Sequence, residues 1–221
     1  MFATIAYDLS HMAGAMVLLA GFVVLYQRRV LGVLRAFAAQ SIAVAGAAAW
    51  QAYSQEAPHL YVTAAIALLL KGIAAPIALN RIVRRLDIHR TVETAVGIGA
   101  TMLAGVGLVV LATLLVLPVT VSSAALTRET LAIALSVVLI GFLMMITRRN
   151  AITQVVGFMS LENGLVLAAV GVKGMPLVVE MSVAFSLLIA FILFGMFFFR
   201  IRERFDTLDL QSIESFRGER R

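Results

Sequence analysis

The 221-residue chain contains no cysteine, which rules out disulfides, thiolate catalysis and iron–sulfur ligation by its own side chains. Charge is scarce as well: 14% of residues are Asp, Glu, Lys or Arg, against 62% hydrophobic. A soluble domain of this length needs far more charged surface, so the composition implies a polytopic membrane protein. The histidines His11, His59 and His89 fall in three different segments without metal-ligand spacing, which argues against a metal site. No phosphate-binding glycine loop, nucleophile elbow or other soluble-enzyme motif is present. Any chemistry in this chain is therefore the movement of protons or ions.

What the chain does have is long apolar sequence. Seven runs, approximately 5–26, 31–53, 60–82, 94–117, 129–146, 151–172 and 176–199, are long enough or nearly so to cross a bilayer as α-helices. The fifth is the shortest, with Arg128 and Glu129 at its mouth. The first has no basic n-region and no clear cleavage site before Gln27-Arg28-Arg29, so it reads as a retained span. The formal net charge of +6 does not mark a nucleic-acid surface, because the basic residues sit at the ends of apolar runs. Arg28, Arg29, Arg35, Arg81, Arg84, Arg85, Arg90, Arg148, Arg149 and the arginines after Phe199 fall on one side; only Arg128 and Lys173 fall on the other. The positive-inside rule predicts an external N-terminus and a cytoplasmic C-terminus.

The polar linker 118–127 divides a four-span region, residues 1–120, from a three-span unit, residues 121–200. A tail, 201–221, has too few apolar residues to fold alone and is expected on the membrane surface or docked on another subunit. The second span is rich in alanine, and the fourth carries Gly97, Gly99, Gly105 and Gly107. Small residues allow close helix approach, as expected of spans buried among partners.

Hydroxyls aside, the polar residues inside the spans are Gln40 with Ser41, Lys71, Gln154, Glu162 with Asn163, and Glu180. Lys71 stands eleven residues after Leu60 and ten before Arg81, near the bilayer centre and too deep to snorkel. Glu162 lies twelve residues beyond Asn150, about 18 Å up its helix, past the midplane of a hydrocarbon core about 30 Å thick. Ionisable groups at this depth are costly and mark candidate functional sites. A carboxyl there is suited to reversible protonation, and a Glu162–Lys71 pair would toggle; the alternative for each is a structural ion pair or hydrogen bond. Pro76 removes a helix hydrogen bond near Lys71 and predicts a kink. Glu180, one turn inside the seventh span, suits the outer mouth of a proton path, with Ser186 and Ser182 loosely aligned along the same helix. Gln40, Ser41 and Gln154 are expected to bridge helices or to hydrate a path.

The run RRN-x6-G-x5-N at Arg148, Arg149, Asn150, Gly157 and Asn163 resembles the second helix of the three-helix K-type subunit of respiratory complex I and of multisubunit cation/proton antiporters. The whole chain is more similar to hydrogenase-4 component E of complex-I-like formate hydrogenlyases. Matching elements are Gln40-Ser41, the Lys71 helix with Pro76, RRN-x11-ENG ending at Gly164, Val179-Glu180 and Thr207–Leu210. Where the K-type helix has its glutamate, this chain has Met159, almost one turn before Glu162. In the last helix the acidic positions of the two families fall at Ala190 and Ser186. The resemblance implies an all-α inner-membrane subunit of an energy-converting hydrogenase, relaying protons through Glu162, Lys71 and Glu180 or coupling the redox module to antiporter-like subunits. It implies no cofactor in this chain: nickel–iron and iron–sulfur centres belong to partners, which include a redox-module membrane anchor. A cation/proton antiporter subunit and a non-transporting scaffold are the other readings.

Overall fold

The computed structural model describes residues 2–85, 96–119 and 125–171, and all its regular structure there is helical. The helices are α1 (Phe2–Tyr26), α2 (Val30–Ser54), α3 (His59–Ile66), α4 (Ala75–Arg85), α5 (Ile98–Val119), α6 (Ala125–Thr147) and α7 (Ala151–Gly171), with a π-helical segment, Ala67–Ala74, joining α3 to α4. Six stretches of 19 to 26 residues are long and apolar enough to cross a membrane. They correspond to the first six predicted runs; the seventh, 176–199, lies outside the described residues, as does the tail.

The fifth predicted run, 129–146, agrees with the candidate span Glu129–Thr147 of 19 residues; the helix that contains it, α6, begins one turn earlier, at Ala125. The third is a single rod of three segments. Pro76 lacks an N–H to close an α-type bond and its ring crowds the carbonyl four residues back. The turn upstream of it widens to π geometry from Ala67 to Ala74. Long π stretches are rare and frequently sit at functional positions; this one carries Lys71.

α1 and α2 form one antiparallel pair, α6 and α7 another, and the pairs pack face to face, α1 on α6 and α2 on α7. α2 also touches α3, the π segment and α4. Its alanines explain this: Ala45, Ala47, Ala48 and Ala52 are buried against Val17, Ala134, Val166 and Leu167, since methyl-sized side chains let several backbones close in at once. Among the described residues α5 packs chiefly on α6 and α1, and Leu103, Val106, Val110 and Leu114 are exposed there.

Among the described residues of this chain, the glycines of the fourth span have few close neighbours. A Cβ at Gly97, Gly99 or Gly107 would meet nothing within 4 Å, and only Gly105 faces neighbours, Phe22 and Leu25. The tight glycine contact lies between α6 and α7. A Cβ at Gly141 would fall 2.6 Å from the Leu161 nitrogen, and one at Gly164 would fall 2.8 Å from the Val138 nitrogen. Gly157, Gly164 and Gly171 recur every seven residues along this face of α7, a spacing that keeps one stripe of a helix toward its partner.

The turns are chemically specified. Between α6 and α7 the Asn150 carboxamide accepts from the Ile152 N–H at 2.9 Å, a helix N-cap. α2 closes with Ala57 N–H donating to the Ala52 carbonyl and Glu56 N–H to that of Tyr53, the paired bonds of a Schellman motif. Its left-handed residue is Glu56, at φ 54°, where glycine is the usual occupant. Replacing Glu56 by glycine is therefore expected to stabilise the fold by about 1 kcal/mol, read as a raised unfolding midpoint in detergent.

Candidate functional site

Lys71 of the π segment and Glu162 of α7 meet in the interior of the bundle, Nζ to Oε1 at 3.1 Å, with side chains 3% and 1% exposed. Each stands near the middle of its rod, His59–Arg84 and Ala151–Gly171, so both charges lie at the depth of a bilayer centre. The separation is that of an ion pair, and one proton passing from the ammonium to the carboxylate neutralises both partners without altering net charge. That makes the pair a group able to hold a proton in either of two places.

A buried polar network adjoins it. Asn163 Nδ2 donates to Ser41 Oγ at 3.1 Å and, at the long limit of 3.5 Å, to Gln40 Oε1. Gln40 Nε2 in turn donates to the Val17 carbonyl of α1 at 3.5 Å. Gly21 makes room for this approach, since a Cβ there would lie 3.2 Å from Gln40 Nε2. Gln40, Ser41 and Asn163 are all fully buried, and the network ties α1, α2 and α7 together at the level of the ion pair. Because Asn163 follows Glu162 directly, its bonds to α2 fix the rotation of α7 and so the direction in which Glu162 is presented. The Asn163 Oδ1 has no hydrogen-bond partner among the described residues.

Of the residues singled out from sequence, the structure brings together Lys71, Glu162, Asn163, Gln40 and Ser41. Gln154 stands apart: it is exposed and donates to the Arg148 carbonyl at 2.8 Å, closing the α6–α7 turn about 12 Å below Glu162. Glu180 and Ser186 lie outside the described residues. Among the described residues no group of three His, Asp or Glu side chains is assembled as metal ligands.

Arg148 behaves differently from a loop charge. It is 2% exposed, the largest fully buried side chain of the described residues, and its Nη2 donates to the Leu25 carbonyl near the end of α1. Its Nε and Nη1 find no partner among the described residues. Only Arg149 of the basic doublet is exposed. Guanidinium groups suit helix C-termini because they satisfy the last carbonyls and oppose the dipole, so Arg148 locks the α6–α7 hairpin onto α1. The sequence shows Arg148 as an orienting charge and as the start of the Arg-Arg-Asn motif; nothing in an Arg-Arg doublet says which arginine turns inward. Asn80, with its Oδ1 buried and without a partner among the described residues, was likewise missed because it lies close to the basic end of its span.

No family model matches the sequence, and no solved structure matches it. Among curated proteins, an uncharacterized protein of Mycobacterium tuberculosis is 28% identical over 207 residues, covering 93% of this chain and 94% of that protein. Hydrogenase-4 component E of Escherichia coli K12 is 26% identical over 184 residues, 82% of this chain and 85% of that protein; the Shigella flexneri protein of the same name matches equally. The chain is thus an all-helical protein with six candidate membrane spans among its described residues, distantly homologous to hydrogenase-4 component E over most of its length.

Proposed function

We propose that this chain is an inner-membrane subunit of a complex-I-like, energy-converting hydrogenase, and that the Lys71–Glu162 pair is a proton-holding station in it. The observation that carries the reading is the ion pair itself, two opposite charges 3.1 Å apart and buried at mid-span. Retaining both charges at that depth is costly, and replacing a buried pair by apolar side chains is often neutral or stabilising, so fold stability alone is a weak reason to keep it. The distant homology to hydrogenase-4 component E supports the assembly, and loop charge supports an external N-terminus. In this reading redox centres belong to partner subunits, and the chain sits between a redox-module membrane anchor and antiporter-like subunits.

The test is Glu162→Gln in the intact assembly. Coupled proton translocation is expected to fall about a hundredfold, the lower end of what a positioned proton-transfer group contributes, with the complex still assembled. Undiminished translocation in Glu162→Gln would reduce the pair to a structural role, the scaffold reading. Mass spectrometry of co-purifying subunits separates the remaining alternative: a nickel-binding large subunit supports a hydrogenase, antiporter subunits alone a cation/proton antiporter.

A further inference from the structure

The turn joining α2 to α3 connects two candidate spans and therefore lies at a membrane surface. An open cleft of about 480 Å³ sits on it, lined by Tyr53, Ser54, Glu56, Pro58 and Tyr61 with Ala52 at its base. Tyr53 and Tyr61 are 58% and 48% exposed, and Trp50 stacks at a tilt beside Tyr53, ring centroids 5.9 Å apart. Aromatic side chains at this level match the headgroup zone. The cleft also includes Glu56, the left-handed residue of the Schellman turn. Glycine would close the same turn without steric cost. A residue held in an unfavourable backbone region points to a role for its side chain, and here that residue is one of those lining the cleft.

We propose that the cleft binds the primary ammonium of a phospholipid headgroup, that of phosphatidylethanolamine. Two features select this chemistry. Tyrosine rings attract a cation through their quadrupoles, and a carboxylate adds charge together with acceptor oxygens for N–H donors. A primary ammonium satisfies both. The quaternary ammonium of phosphatidylcholine offers no N–H to Glu56, and phosphatidylglycerol offers no cation. The site is independent of the proton-holding pair, being built from different residues at the end of the spans.

The experiment uses the full-length chain in nanodiscs of equimolar phosphatidylethanolamine, phosphatidylcholine and phosphatidylglycerol, released into native mass spectrometry to count retained lipids. Phosphatidylethanolamine is expected to be retained about tenfold over either competitor, as one charge-assisted hydrogen bond implies. Glu56→Gln is expected to remove most of that preference, and Tyr61→Ala to weaken retention of both amine-bearing lipids. Glu56→Gly serves as the folding control: it is expected to keep or raise stability and still lose the preference. Equal retention of the three lipids, or an undiminished preference in Glu56→Gly, would overturn the proposal. Retention of phosphatidylcholine as strong as that of phosphatidylethanolamine would equally overturn the hydrogen-bonded ammonium.

Discussion

Lys71→Met is expected to destabilise the folded chain by about 3–5 kcal/mol, and Glu162→Leu by a similar amount, because each leaves its partner as an uncompensated buried charge. The double variant Lys71→Met/Glu162→Leu is expected to recover most of the loss. With both side chains buried, an apolar pair of similar volume fills the space and neither charge has to be taken from water. The measurement is a double-mutant cycle by denaturant titration in a fixed detergent, in which the pairwise term appears as non-additivity. Additive losses would mean that the two groups do not stabilise each other despite their 3.1 Å approach. The cycle also isolates function from folding: a double variant that is folded but translocates no protons places the pair in the transport chemistry, since stability has been restored while the protonatable groups have gone.

Gly164→Leu is expected to be the second large loss, about 3 kcal/mol, at the upper end of the range for overpacking. Besides Val138 Cγ2 at 2.8 Å, a Cβ would meet two backbone atoms, the Val138 nitrogen at 2.8 Å and the Ala134 carbonyl oxygen at 2.9 Å, which cannot turn aside as a side chain would. α7 must instead move away from α6, toward α2, where Asn163 holds Ser41. Gly107→Ala is the control of opposite sign. A Cβ there meets nothing within 4 Å, so the change removes only the helix penalty of glycine and is expected to stabilise by about 0.5–1 kcal/mol. Thermal unfolding of both variants in one detergent reads the contrast. Equal shifts at the two positions would refute the close α6–α7 approach.

These two glycines show where a sequence stops being informative. Gly107 belongs to the span richest in glycine, yet among the described residues a Cβ there would meet nothing within 4 Å. Gly164 is part of a seven-residue stripe whose significance depends on which helix lies opposite. Glycine permits close approach; it does not say from which side a neighbour comes. The same holds for Arg148 and Arg149. Both are end-of-span charges in sequence, and only the position of the Leu25 carbonyl separates the buried one from the exposed one. Asn150 was legible as part of a turn, but its capping bond to Ile152 required the helix start to be known.

Alone, the sequence determined the environment and most of the spans: 62% apolar residues in runs of membrane-crossing length admit few structures other than a helical bundle, because lipid offers no partner for backbone polar groups. It also determined which side chains were out of place, Lys71 and Glu162 foremost, since depth along a helix follows from counting residues. Whether those two meet was decided by tertiary structure. They are 91 positions apart, on helices that both pack against α2, and the π segment before Pro76 sets the direction from which Lys71 enters. Helix order and rotation depend on packing between segments distant in sequence, and that packing brings an ammonium and a carboxylate to 3.1 Å.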